Sequence, residues 1–223
     1  MKEFTCTLGD LESLQDNMTR GQENGKRFYQ TPDGQKYPSV TTVTGLLTRD
    51  HIKLWRERVG EEEANKISSV AARRGTKMHS LFEQYLRAEE ELVFENILDE
   101  SMFKAVQPVL DDIIPVALEA GMYSDSLKMA GQVDCVGLWD NELCIIDFKT
   151  SAKYKEEYMA DPWFHQMTAY AIMVEELTGE EIDSIVAVVA VDGGGVQVFE
   201  ADPRDYVEKL YELRNRYSTL YGV

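Results

Sequence analysis

The chain has 223 residues, 43% of them hydrophobic and only six of them proline, enough for one large domain with a sizeable core and unlike a disordered polypeptide. A formal charge of −17, from 23 Lys and Arg against 40 Asp and Glu, argues against broad, non-specific binding to duplex DNA but leaves room for a local basic groove. The longest apolar run, residues 185–191, is too short to span a bilayer, and Cys6, Cys135 and Cys144 lack the spacing of a disulfide framework or an iron–sulfur cluster.

Residues 1–35 are polar and glycine-containing, with one turn expected at Thr31-Pro32-Asp33-Gly34, and form an N-terminal segment with no assigned role. The first sixteen residues have no apolar leader region and are rich in acids, so neither a secretory nor a mitochondrial leader is expected and a cytoplasmic protein is. A single domain is expected over 36–223. Residues 36–47 start extended and run into a helix. Residues 50–68 read as helical, with Gly60 and the three glutamates after it marking a break and a new start. Residues 70–90 predict a strong helix, because Met78, Leu81, Phe82, Tyr85 and Leu86 recur at helical spacing.

A further helix is expected over 101–118, interrupted or restarted near Pro108 and Pro115. The pattern then switches to strands at 131–139 and 143–149 around a short Asp140-Asn141 turn. Residues 161–177 return to helix, capped by Asp161 with Pro162 behind it. Two strands follow at 184–191 and 196–201, joined by a glycine-rich turn. A closing amphipathic helix repeats the Asp-Pro start at Asp202-Pro203. This order predicts an α/β layered domain with a mixed sheet.

Charge is unevenly spread. Residues 89–112 hold eight acids and one lysine, a solvated face, whereas residues 49–77 hold eight Lys or Arg against five acids. A polyanion would meet the second region. There Arg49, Lys53, Arg56 and Arg58 interleave with Trp55, as in a platform where charge tracks a backbone and a ring stacks on bases; Trp55 packed on the core is the alternative.

A two-residue turn at Asp140-Asn141 pairs Trp139 with Glu142. The same register sets Asp134 opposite Asp147, with Lys149 on the same face and Gln132 opposite Lys149. Two facing carboxylates in an apolar hairpin must share a proton, pair with a cation side chain or bind a metal. A buried ion pair with Lys149 is the structural alternative. The polar residues gather at the end of the hairpin away from the turn, where a cleft would open. His79 and Glu83, four apart, share one helix face at the edge of the apolar stripe and suit a metal site with oxygen donors. Arg73, Arg74 and Thr76 would meet a phosphate if a helix starts there. Gln166 and Tyr170 likewise share a face.

In this order, His79 in RGTKMH, Asp134 in GQVD, Asp147 and Lys149 in IIDFKT, and Gln166 and Tyr170 in QMTAY resemble the PD-(D/E)xK nuclease superfamily in its RecB-like branch. Within that branch the chain is most similar to the exonucleases that maintain mitochondrial genomes and their phage relatives, over about residues 36–217. The resemblance implies a central mixed sheet flanked by helices with an N-terminal helical extension, a helical DNA-binding part over about 36–120 and a metal-site core over about 70–220. It implies Mg²⁺ or Mn²⁺ held by His79, Asp134, Asp147 and the Phe148 carbonyl, and no iron–sulfur cluster. Lys149 would orient or deprotonate a water, and Gln166 would help position it. Ser39, Trp55, Arg56, Arg74, Thr76, Thr150, Ser151 and Tyr170 would contact DNA, with Glu83 and Glu119 in support around the metal. The implied activity is a DNA exonuclease preferring single strands with free ends, in replication, recombination or repair; with no mitochondrial leader expected, a phage or bacterial relative is favoured. A flap endonuclease on the same fold and a non-catalytic nucleic-acid-binding module remain as alternatives.

Overall fold

The computed structural model describes residues 6–14, 17–89 and 91–222. Residues 1–5, 15, 16, 90 and 223, which include parts of the N-terminal segment and the end of the expected 70–90 helix, lie outside these described residues.

The N-terminal segment builds more than the sequence suggested. Helix α1 (Leu11–Leu14) buries both its leucines in the main core. Strands β1 (Thr19–Glu23), β2 (Lys26–Gln30) and β3 (Lys36–Pro38) form an antiparallel three-stranded sheet in that order. Asn24 and Gly25, at φ 50° and 75°, make the two-residue turn between β1 and β2. Ser39 then caps helix α2 (Val40–Thr44), accepting the Thr42 N–H at 3.1 Å.

Helix α3 (Arg49–Val59) ends at Gly60, whose φ of 85° suits glycine, and α4 (Glu61–Leu86) starts directly after it. The break falls where expected, but α4 then runs unbroken for 26 residues. Arg73, Arg74 and Thr76 are therefore mid-helix, where backbone amides are spent on the preceding turn. No helix start exists there to hold a phosphate.

Helix α5 (Ile97–Asp111) keeps Pro108 inside and stops short of Pro115. Residues 114–118, expected as helix, belong instead to strand β4 (Ile114–Ser124). Its pairing with β5 (Met129–Trp139), Ala117↔Val136 through Ser124↔Met129, outweighs the helix propensity of its Ala, Leu and Glu residues. Strand β6 (Glu142–Ser151), helix α6 (Asp161–Thr178), strands β7 (Ser184–Val191) and β8 (Gly195–Ala201) and helix α7 (Val207–Tyr221) follow. Asp202 accepts the Arg204 N–H at 2.8 Å and starts the last helical stretch, as expected. Asp161 caps nothing: it is already the first helical residue, and its carboxylate lies 3.5 Å from Lys209.

The main sheet has the order β4-β5-β6-β7-β8, with β6 and β7 parallel and the other pairs antiparallel. Helix α6 makes the crossover that a parallel pair requires. One sheet face buries Val133, Ile145 and Ile185 under Met167 and Val174 of α6 and Leu210 of α7. The other buries Cys135, Ile146 and Val186 under Phe82 of α4 and Phe103 of α5. With both faces covered, β7 is apolar at successive positions instead of alternate ones. The α/β class with a mixed, helix-flanked sheet is as expected. No helix among the described residues is long and apolar enough to cross a membrane.

Candidate active site

Asp140 and Asn141, at φ 50° and 66°, form the expected turn, and the expected register holds from Trp139↔Glu142 to Cys135↔Ile146. There the ladder stops. Asp134 is not paired with Asp147, and Gln132 does not face Lys149: Gln132 pairs with Gly121 of β4, whereas Lys149 pairs with Val189 of β7. Strands held by different neighbours diverge at this point and open a fork. The Phe148 N–H points into the fork and donates to Asp134 Oδ2 at 2.9 Å. Its carbonyl faces the same edge, because the N–H and C=O of one strand residue point the same way.

Helices bring the remaining groups to the fork. From α4, His79 Nδ1 lies 3.3 Å from Asp134 Oδ2. From α6, Gln166 Nε2 donates to Asp147 Oδ1 at 2.9 Å, while the Lys149 ammonium pairs with Asp147 Oδ2. Glu119 of β4 sits at φ 51°, a strained conformation for a residue with a Cβ. The backbone around it is held on both sides. Leu118 N–H donates to Glu12 at 2.6 Å, Arg87 donates to the Leu118 carbonyl at 3.1 Å, and Gln132 donates to the Glu119 carbonyl at 3.0 Å. As a result, ligand atoms of His79, Glu119 and Asp134 lie within 4.8 Å of one another. Nitrogen and carboxylate donors in this arrangement fit a small divalent cation.

The carboxylates are driven apart electrostatically. Burial pushes Asp134 up, but His79, Lys149 and the Phe148 N–H outweigh it and hold the carboxyl below its ordinary range. Burial, with the Asp134 charge adding to it, pushes Asp147 up to about 6 despite Lys149. Burial, then Asp134 and Glu83, push Glu119 up to about 7. Burial works against the charge on His79 and on Lys149, yet the neighbouring carboxylates raise both. The Lys149 side chain is accordingly held as a cation.

The groups line a cleft of about 570 Å³. Ser39, Thr76, Glu83 and Tyr170 line it too, although the Ser39 hydroxyl is occupied as a helix cap and Glu83 accepts from Arg87 at 2.9 Å. Three residues singled out for DNA contact are engaged elsewhere. Arg74 is bound to Asp192 at 2.5 Å, the Ser151 hydroxyl donates to the Lys153 carbonyl, and Arg56 donates to Asn65. Thr150 and Trp55 are half-buried and do not line this cleft. Arg20, Arg27 and Tyr29 line it and were not singled out by the sequence; the Asn24-Gly25 pair, which suits a two-residue hairpin turn, is the signal that could have found their strands.

Tyr170 is 2% exposed and lies flat enough on Gly131 that an added Cβ would sit 2.8 Å from its Cε1 and Oη. Gly131→Ala therefore costs about 1–3 kcal/mol through overpacking. Thermal denaturation checks this: a variant melting at the wild-type temperature shows that the close packing carries no weight.

Residues 50–217 match the family described as the PD-(D/E)XK nuclease superfamily. Mitochondrial genome maintenance exonuclease 1 of Homo sapiens is 33% identical over 129 residues, covering 53% of this chain and 38% of the human protein. The Mus musculus protein of the same name is 32% identical over 130 residues, covering 52% and 38%. The Xenopus tropicalis one is 31% identical over 147 residues, covering 59% and 42%. The chain thus spans about two fifths of the length of these relatives.

Proposed function

The chain belongs to the PD-(D/E)XK nuclease superfamily, and from that premise we propose that the fork cleft is the active site of a divalent-metal-dependent deoxyribonuclease that digests single-stranded DNA from a free end, in replication, recombination or repair. One observation carries the reading: the His79, Glu119 and Asp134 donors converge beside the Asp147–Lys149 pair in one open cleft. Binding alone would not need converging acids where a phosphate must lie.

His79, Glu119 and Asp134 would hold Mg²⁺ or Mn²⁺, with Asp147 and the Phe148 carbonyl available as further oxygen donors at the fork. The bound cation supplies Lewis acidity and an acidified water. Asp134 is kept ionised by His79 and the Phe148 amide, so it is ready as a donor. Gln166 fixes the orientation of Asp147. Lys149, held as a cation, donates to the phosphate oxygen on which charge develops and orients the attacking water. Its raised pKa suits this role better than that of a base. Tyr170 and Ser39 shape the wall along the strand.

The single-strand preference rests on α3, which buries none of its side chains, leaves Ile52 and Leu54 exposed and half-exposes Trp55 among basic residues. The relatives' name of exonuclease supports end-dependence. End-labelled linear and circular single strands, incubated with Mg²⁺, Mn²⁺ or chelator, test the reading. Linear strands are expected to be shortened with metal only, and circles to survive. Cutting of circles favours the flap or structure-specific endonuclease, and no hydrolysis with either metal leaves only a binding module.

A further inference from the structure

The β1–β2 hairpin lies outside residues 50–217, the stretch that matches the nuclease family. Its register, Arg20↔Tyr29 and Gln22↔Arg27, places Arg20, Arg27 and Tyr29 on one face. That face lines the cleft. The opposite face turns to α7, where the Lys26 ammonium lies over the Tyr221 ring.

The hairpin is firmly seated. Tyr29 packs with Tyr37 and with Ala130 of β5, and the Arg27 carbonyl accepts the Ser39 N–H at 3.0 Å and the Thr42 hydroxyl at 3.3 Å. The backbone carrying the arginines is thus tied to the strand that carries Asp134. Both guanidinium groups, by contrast, have no ion pair or side-chain hydrogen bond among the described residues.

Charge makes those free groups informative. Glu83, Glu119, Asp134 and Asp147 line the cleft, and its one lysine is already paired with Asp147. A phosphate backbone entering there meets repulsion from these acids. Apart from a bound cation, His79 and the paired Lys149 at the reacting phosphate, the positive charge that lines the cleft is that of these two arginines. Guanidinium suits the role, since its fork of N–H donors matches phosphate oxygens and it stays charged at any working pH.

We propose that Arg20 and Arg27 grip the phosphate backbone of the strand in the cleft, making the N-terminal hairpin a substrate clamp. The inference rests on the nuclease reading of the same site. Each single-strand phosphate contact contributes about 0.7 to the slope of log K against log salt, so removing both lowers the slope by about 1.4 and weakens binding about 25-fold near 0.1 M salt.

The test is fluorescence anisotropy of a labelled single-stranded oligonucleotide against salt, with Mg²⁺, in the full chain carrying Lys149→Ala so that the strand is not digested. Arg20→Gln with Arg27→Gln is expected to lose that slope, and Arg20→Lys with Arg27→Lys to keep it, with all the proteins melting alike. A slope unchanged in the Gln variant overturns the clamp while leaving the nuclease reading intact. So does a loss that Lys fails to restore and that comes with a lower melting temperature, because the hairpin is then structural. If the wild-type chain digests no DNA and the parent binds none, the nuclease reading fails and the clamp falls with it.

Discussion

Lys149→Ala lowers turnover of single-stranded DNA by at least about 10²–10³-fold, the usual loss when one donor to transition-state charge is removed. Strand binding is expected to survive, because most binding energy comes from phosphate contacts spread along the strand. Fold effects are small enough to separate. Lys149 is the ion-pair partner of Asp147, and losing one partner of a buried pair commonly costs about 3–5 kcal/mol. Here the bare carboxylate has an escape, since Asp147 already titrates near 6 and takes up a proton when its counter-ion is gone. Single-turnover digestion and anisotropy on the same preparation check the prediction. Equal turnover in the variant rejects the role given to Lys149, and loss of binding in step with turnover means that the residue holds substrate instead.

The register that brought Asp134 toward the Asp147 and Lys149 strand was legible because it depended on local chemistry. Asp140 and Asn141 tolerate the positive φ of a two-residue turn, and the turn fixes every pair up to Cys135↔Ile146. What could not be read was where that ladder ends. Its end is decided by β4 and β7, distant in sequence, which keep β5 and β6 on separate courses, and by Asp134 taking the Phe148 amide. The facing carboxylates were therefore placed next to each other correctly and paired wrongly.

Strand β4 was missed for a related reason. Its Ala117-Leu118-Glu119-Ala120 run has helical propensity, and only the partner strand makes it extended. That error hid the geometry of Glu119, which holds a positive φ within the strand and whose carboxylate joins His79 and Asp134. The β1–β2 hairpin was missed differently. Its Asn-Gly turn was visible, but strands as polar as TRGQE and KRFYQ show no apolar alternation. Helix α4 was legible as helix, and so was the place of His79 at the margin of its apolar stripe, where the side chain is half-buried. Its length was not, since nothing local marks that Gly75 lies within the helix and not at its start.

Glu119→Gln is expected to move two properties in opposite directions. With chelator present, the wild-type carboxyl has its pKa raised from 4.5 to about 7, so the folded state binds more protons than the unfolded one between those values. Stability then falls as pH rises through about 4.5–7 and stays lowered above it. A glutamine has no proton to lose, so the variant loses this part of the pH dependence and is the more stable protein at pH 8. Asp147 and His79, also raised, keep their own share of the downward trend in both proteins. Metal reverses the ranking. A cation present at 100 times its dissociation constant stabilises the fold by about 2.7 kcal/mol, roughly 5–10 °C for a domain of this size. The glutamine variant, with a neutral amide among the donors, gains much less from the same Mg²⁺ or Mn²⁺ concentration. Paired melting curves at pH 5 and pH 8, with chelator and with metal, read both effects. A misfolded variant loses stability under every condition, and a glutamate that merely supports the wall leaves the metal-dependent shift unchanged. Only a residue that holds the cation, and is strained by its own charge without it, gives higher stability in chelator together with a smaller response to metal.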